Sequence, residues 1–152
     1  VIKYTLDLDD NVSGKLARLG SRADELRELV LKRLGGKAVS IAQKDYLTGQ
    51  KLNIRSGNLR SAMNYRLRAD KSVYIGNSMV YSAIHEFGGT IVPKRGQYLR
   101  FFNQEGQEIF VKQVVMPKRS YTRPAIDQLF NSGLAKRESE AAFKTYLRRY
   151  IE

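Results

Sequence analysis

Between Leu16 and Ile41 the apolar residues Leu16, Leu19, Ala23, Leu26, Val30, Leu34, Ala38 and Ile41 recur every three or four positions, and beyond Tyr46 the period drops to two. A stripe that keeps its phase over this many turns specifies an amphipathic helix. Strict alternation specifies a strand with one wet face and one buried face. A chain carrying both, with no sign of repeated strand-helix-strand units, is constrained to the α+β class with an antiparallel sheet. Gly20 and the Gly35-Gly36 pair interrupt the stripe, each at about 1 kcal/mol relative to Ala. Because the phase survives them, the sequence predicts one long helix with a weak point at Gly35-Gly36. Ser21, followed by Asp24 and Glu25, reads as its start, which leaves Leu16 to Gly20 as a separate short turn.

The strands follow from alternation and turn residues. Ile2, Tyr4, Leu6 and Leu8 predict a short strand before the helix. Met63, Tyr65 and Leu67 alternate with Asn64, Arg66 and Arg68, and Asp70-Lys71 turns the chain into Ser72–Gly76 to complete a first hairpin. Tyr98–Phe102 and Glu108–Val115 predict a second, closed by Asn103 to Gly106. Val80 to Gly88 reads as one or two helical turns ended by Gly, with Tyr81, Ile84 and Phe87 packed inward and His85 and Glu86 pointing elsewhere. Gly88-Gly89 relaxes the backbone, so the next residues are expected to leave as a flexible arm. Pro124 suits a first helical turn. After it Ile126, Leu129, Phe130, Leu134, Phe143, Tyr146, Leu147, Tyr150 and Ile151 give a broken amphipathic stretch. The expectation is a single domain over 1–152: an antiparallel sheet built from two hairpins, packed by a long N-terminal helix and a C-terminal helical segment. A chain of 152 residues buries roughly 70% of its unfolded surface and needs no covalent staple.

Several chemistries find no support in the residue types. There is no Cys, so disulfides and thiolate metal sites are excluded, and the absence fits assembly in a reducing cytosol. His85-Glu86 resembles half of a zinc-protease helix, but Gly89 occupies the position of the second His and His85 is the single His of the chain. No Gly-x-Ser-x-Gly elbow accompanies the Ser residues, and the Gly-Lys pairs lack the spacing of a phosphate loop. We therefore expect no enzyme activity, no metal and no cofactor. No apolar run reaches the length of a membrane span, and the first residues lack the basic-then-apolar order of a signal peptide, so a soluble chain that is not exported is expected.

The net charge of +12 is unevenly placed. Residues 1–36 carry seven Lys or Arg against six Asp or Glu, residues 124–152 five against four, and residues 37–123 fifteen against five. The middle of the chain therefore holds ten of the twelve excess charges, a field that attracts DNA, RNA or acidic protein over about 10 Å at moderate salt. Arg55, Arg60, Arg66, Arg68 and Arg100 form the candidate basic patch. With Lys94, Arg95 and the interleaved Tyr65, Tyr74, Tyr98 and Phe102 they make the composition of a strand-tracking nucleic-acid surface.

Three segments in that basic middle carry a family likeness: Leu52-Asn-Ile-Arg-Ser-Gly-Asn-Leu-Arg-Ser-Ala62, Tyr81-Ser-Ala-Ile-His-Glu-Phe-Gly-Gly-Thr-Ile91 and Met116-Pro-Lys-Arg-Ser-Tyr-Thr-Arg-Pro-Ala-Ile126. In this order they resemble the signature of the tail-completion or virion-morphogenesis proteins of tailed phages, a group similar to the G protein of phage Mu and related to neck proteins. Ser82 stands where Ala is common, and Ser120-Tyr121 replaces the usual Pro-Phe. The resemblance covers most of the chain. It implies a structural subunit at the head-tail joint or head-proximal tail end, assembled in the host bacterial cytoplasm into a homo-oligomeric ring, a hexamer, beside neighbouring neck and tail proteins and near DNA. Such a protein acts by binding, without a membrane. The subunit-interface candidates are His85, Glu86, Gly89, Lys94, Arg95, Arg119, Tyr121 and Arg123. Arg and Tyr anchor interfaces well, although Arg123 has a local alternative in Glu86 or Asp127. The competing reading is a nucleic-acid-binding protein without sequence preference.

Overall fold

The computed structural model describes residues 23–48, 57–103 and 105–151. The expected strand at Ile2–Leu8, the turn at Leu16–Gly20, the helix start at Ser21, the first half of the Leu52–Ala62 segment and Arg55 of the basic patch lie outside the described residues. Within them the fold is α+β. In chain order come α1 (Ala23–Ile41), a π-helical turn (Ala42–Tyr46), α2 (Asn58–Ser61), β1 (Met63–Leu67), β2 (Val73–Asn77), α3 (Ser82–Phe87), β3 (Gly89–Ile91), β4 (Leu99–Phe102), β5 (Glu108–Val111), β6 (Val114–Met116), α4 (Thr122–Asn131) and α5 (Leu134–Ile151). Two compact units share these elements. The first is built from the two ends of the chain, up to Met79 and from Tyr121 onward, and the second is the insertion Val80–Ser120.

The core belongs to the first unit. The α1 stripe is buried at Leu26, Val30, Leu34, Ala38 and Ile41, joined by Leu31. The helix runs unbroken through Gly35-Gly36. The first hairpin packs tightly against Gly35: a Cβ there would stand 2.7 Å from Tyr65 Cδ2 and 3.0 Å from Val73 Cγ1. β1 and β2 pair antiparallel from Met63↔Asn77 to Leu67↔Val73, sending Met63, Val73 and Ile75 inward. Their turn is fixed by Asp70, whose Oδ1 accepts bonds from the Ser72 N–H at 3.0 Å and the Ser72 hydroxyl at 2.6 Å. Lys71 takes φ 60° in that turn and pairs with Asp24 of α1 at 2.5 Å.

The C-terminal stretch breaks at Gly133, with φ 74°, into α4 and α5, both packed on α1. Thr122, Ala125, Ile126 and Leu129 of α4 and Ala142 and Tyr146 of α5 are buried. Phe130 and Phe143, expected on the apolar face, are exposed instead. Each sits one residue beyond an inward position, about 100° round the helix, and so falls off the stripe. Gln128 Nε2 donates to Asp45 Oδ2 at 2.9 Å and ties α4 to the π-helical turn. Arg33 Nη2 donates to Thr145 Oγ1 at 3.0 Å, while Lys37 lies 3.7 Å from Glu138, so α1 and α5 are also joined across their polar margins.

The insertion contains α3 and two ladders of its own. β3 pairs with β6 from Gly89↔Met116 to Ile91↔Val114, and β4 pairs with β5 from Leu99↔Val111 to Phe102↔Glu108, all antiparallel. The sequence predicts Glu108–Val115 as one strand, but it divides at Lys112-Gln113. The reason is unequal chain length: residues 92–98, Pro93 among them, separate β3 from β4, and only Lys112 and Gln113 separate β5 from β6, so the ladder cannot continue. Each expected hairpin is present as a separate two-stranded sheet, and β3–β6 is a third. At the closed end, Asn103 Oδ1 accepts bonds from the N–H groups of Glu105 at 3.0 Å and Gln107 at 2.8 Å, an arrangement suited to a tight loop.

Candidate assembly surface

Every buried apolar residue of the core lies in the first unit, and the insertion contributes none of them. Among the described residues, ten of the thirteen exposed large apolar side chains lie in Val80–Ser120, including Val80 at 98%, Val115 at 68%, Phe102 at 64%, Phe87 at 58% and Phe110 at 57%. Six of the ten are Phe or Tyr, each with about 150–250 Å² to bury, so at roughly half exposure these six alone present about 600 Å². The ten side chains are spread over α3, β3, both faces of β4–β5, β6 and the residues beside them. Their sum is a large share of the roughly 800 Å² that a standard interface buries from one partner.

The tip hairpin β4–β5 concentrates this character because it carries apolar side chains on both faces. Register puts Leu99, Phe101, Ile109 and Val111 on one face and Arg100, Phe102, Glu108 and Phe110 on the other. All four residues of the second face are exposed. Arg100 Nε pairs with Glu108 Oε1, and the Arg100 guanidinium lies 6.0 Å from the Phe102 ring centroid. An isolated two-stranded hairpin is marginal in water, and among the described residues no further strand pairs with either edge of this one.

At the base of the insertion the structure brings together two of the segments that carry the family likeness. Gly89 faces Met116 in the β3–β6 ladder, and the Arg119 N–H donates to the His85 carbonyl at 2.8 Å. The Ser120 hydroxyl donates to Glu86 Oε1 at 2.5 Å. Gly88, with φ 72°, lets the backbones meet: a Cβ there would lie 2.8 Å from the Lys118 backbone nitrogen, so only Gly fits. The inward face of α3 differs from the one expected. Ser82 and Glu86 are buried, whereas Tyr81 and Phe87 are exposed and Ile84 is half-buried. A helix of six residues has too few apolar positions to enforce a stripe, and the hydrogen bond from Ser120 offsets part of the burial cost of a polar side chain.

The His85 ring stands edge-on to Tyr81, with centroids 6.0 Å apart. Burial, and after it the positive charge of Arg119, holds its pKa below the ordinary 6.5. Among the described residues its Nδ1 has no hydrogen-bond partner; this is the atom to which a Ser-His-acid triad would aim the orienting carboxylate. Among the described residues, no group of three or more His, Cys, Asp or Glu is placed to hold a metal ion, and no helix is long and apolar enough to cross a membrane.

Of the eight interface candidates, Gly89, Lys94, Arg95, Arg119 and Arg123 are exposed and His85 is half-buried. Glu86 and Tyr121 are fully buried and offer no surface to a neighbour: Glu86 receives Ser120, and Tyr121 is part of the core. Arg123 pairs locally, its Nε 3.0 Å from Asp127 Oδ1, and with both side chains half or more exposed that pair contributes at most about 1 kcal/mol. In the basic patch, Arg60, Arg66 and Arg68 are exposed on the first unit, with Arg68 5.5 Å from the Tyr74 ring centroid, while Arg100 belongs to the insertion and pairs with Glu108. The sequence reading missed Phe110, Glu108 and Ser120. Phe110 carried a usable signal, since Ile109, Phe110 and Val111 are apolar at consecutive positions and cannot all face inward from a two-stranded ladder. No family model, curated protein or solved structure matches this chain.

Proposed function

We propose that this protein is an assembly subunit, a structural component of a tailed-phage or prophage virion at the head-tail joint or head-proximal tail end. In this reading copies of the chain form a ring that completes or connects the tail, beside neighbouring neck and tail proteins, in particles built in the host cytoplasm. Its work is binding and involves no catalysis. The observation that carries the reading is the insertion Val80–Ser120, which holds none of the buried apolar core and presents ten large apolar side chains to solvent. Burying them at a subunit contact supplies the driving force, at roughly 25 cal/mol per Å² before the costs of association. The phage assignment rests on the three ordered segments of the sequence.

One observation favours nucleic-acid binding as a second reading: Arg66 lies exposed on β1 opposite Tyr74 in the register, and Arg68 lies exposed just past the end of that strand, its guanidinium by the Tyr74 ring. Arg68, however, covers the ring that a base would need for stacking, which weakens that reading. Antibody labelling of tailed particles induced from the source strain, read by electron microscopy, tests the assignment. Label at the neck or head-proximal tail end is the expected result. A chain that stays off the particles, and binds free DNA with a steep loss on adding salt, would replace this reading with the second.

A further inference from the structure

The outer face of the tip hairpin carries a pattern as well as exposure. Arg100 is opposite Phe110 in the β4–β5 register and Phe102 is opposite Glu108, so the four side chains occupy the corners of a rectangle. The two charges lie on one diagonal and the two rings on the other. Rotation by 180° about an axis along the Phe102–Phe110 diagonal lays this face on a second copy of itself. Each Phe then meets its own counterpart, and Arg100 of each copy meets Glu108 of the other. A partner face of uniform charge would set one of the two charges against its own sign, whereas a second copy satisfies both.

We propose that this face, Arg100, Phe102, Glu108 and Phe110, docks on the same face of a second copy of the chain in an isologous two-fold contact. The proposal rests on the assembly reading and names a partner surface for it. Contacts that close a ring are head-to-tail, so the two-fold contact joins two chains, or two rings, through their insertions.

A charge-swap mixture tests it. Arg100→Glu alone, or Glu108→Arg alone, sets like charges against each other across the two-fold, and sedimentation equilibrium should show self-association weakened about tenfold or more. Mixing the two variants restores opposite charges in the mixed pair, because Glu at 100 then meets Arg at 108 on the other chain. Recovery in the mixture is the expected result. The intrachain Arg100–Glu108 pair is lost in both variants, so damage to the hairpin itself is not repaired by mixing, and failure to recover overturns the proposal. A second measurement is independent of folding in those variants. The chain has no Cys, so Phe102→Cys supplies a single thiol, expected to form a disulfide-linked dimer under mild oxidation much faster than Phe143→Cys on α5. Equal rates in a protein that still self-associates overturn the two-fold contact and leave the assembly reading standing. A chain that joins neither itself nor any tail component overturns both.

Discussion

Replacing Gly35 and Gly36 with Ala, one at a time, should move stability in opposite directions although the two residues are neighbours on one helix. Each change removes a flexible residue from the interior of α1, which by itself stabilises by about 0.5–1 kcal/mol. At Gly36 nothing opposes this gain, since the new Cβ would lie 3.6 Å from Tyr65 Cε1, an ordinary contact. At Gly35 the new Cβ would stand 2.7 and 2.9 Å from Tyr65 Cδ2 and Cγ and 3.0 Å from Val73 Cγ1. Carbon atoms rest about 3.5–4.0 Å apart, so the hairpin has to retreat by several tenths of an ångström. Cγ is one bond from Cβ and Val73 is fully buried, so neither can swing aside cheaply. Overpacking of this kind costs about 1–3 kcal/mol, which exceeds the helix gain. Gly36→Ala should therefore be more stable than the parent, and Gly35→Ala less stable than Gly36→Ala by about 1–3 kcal/mol. Urea unfolding followed by circular dichroism reads this as midpoints shifted either side of the parent at unchanged slope. Adding Tyr65→Ala should remove most of the Gly35→Ala penalty, a coupling of about 1 kcal/mol or more. A Gly35→Ala protein as stable as Gly36→Ala would refute the close packing of the hairpin on the helix.

His85, as the one His of the chain, gives a clean nuclear magnetic resonance titration, and its midpoint should fall below 6.5 in the folded protein. The unfolded chain then takes up this proton first, so stability should decline as pH drops from 6.5 toward the folded midpoint, and His85→Gln should abolish that part of the pH dependence; a midpoint at or above 6.5 would contradict the burial of the ring. Arg119→Ala should raise the midpoint without fully restoring it, because burial is the larger cause. Ser120→Ala takes a donor from the buried Glu86 and should destabilise the insertion by about 1–3 kcal/mol, with Ser120→Thr much milder; hydrogen exchange in β3 and β6 that does not change would show that this bond does not hold the base together.

The α1 stripe was legible because a nineteen-residue helix repeats its apolar face over five turns. Hairpin β1–β2 was legible because alternation and Asp70 act locally. The ladder β3–β6 was not, since three residues are too few to alternate and the partner lies 25 residues away in register. The same limit hid the inward turn of Glu86, whose carboxylate accepts a hydrogen bond from a donor 34 residues later. Gly35 shows a different limit: composition marks it as a loss of helix propensity, and only the packing shows that its missing Cβ is what admits Tyr65. At the assembly surface, His85 and the Lys118–Arg123 segment drew attention by residue type, whereas the self-matching face of the tip became visible only once the register placed Arg100 and Glu108 on one diagonal.

The first unit is discontinuous in sequence, and this sets an order of events during synthesis. Leu26, Val30, Leu31 and Leu34 of α1 find their final cover partly in α4 and α5, which leave the ribosome after the whole insertion. Until then the β1–β2 hairpin can cover only part of that helix face, and the rest stays exposed on the nascent chain. The forty-one residues of Val80–Ser120 act as a loop that has to close, at about 3 kcal/mol of chain entropy if unstructured. A β3–β6 ladder formed early shortens that loop by drawing its ends together, so the small ladder at the base of the insertion lowers the barrier to completing a core to which it contributes no side chain.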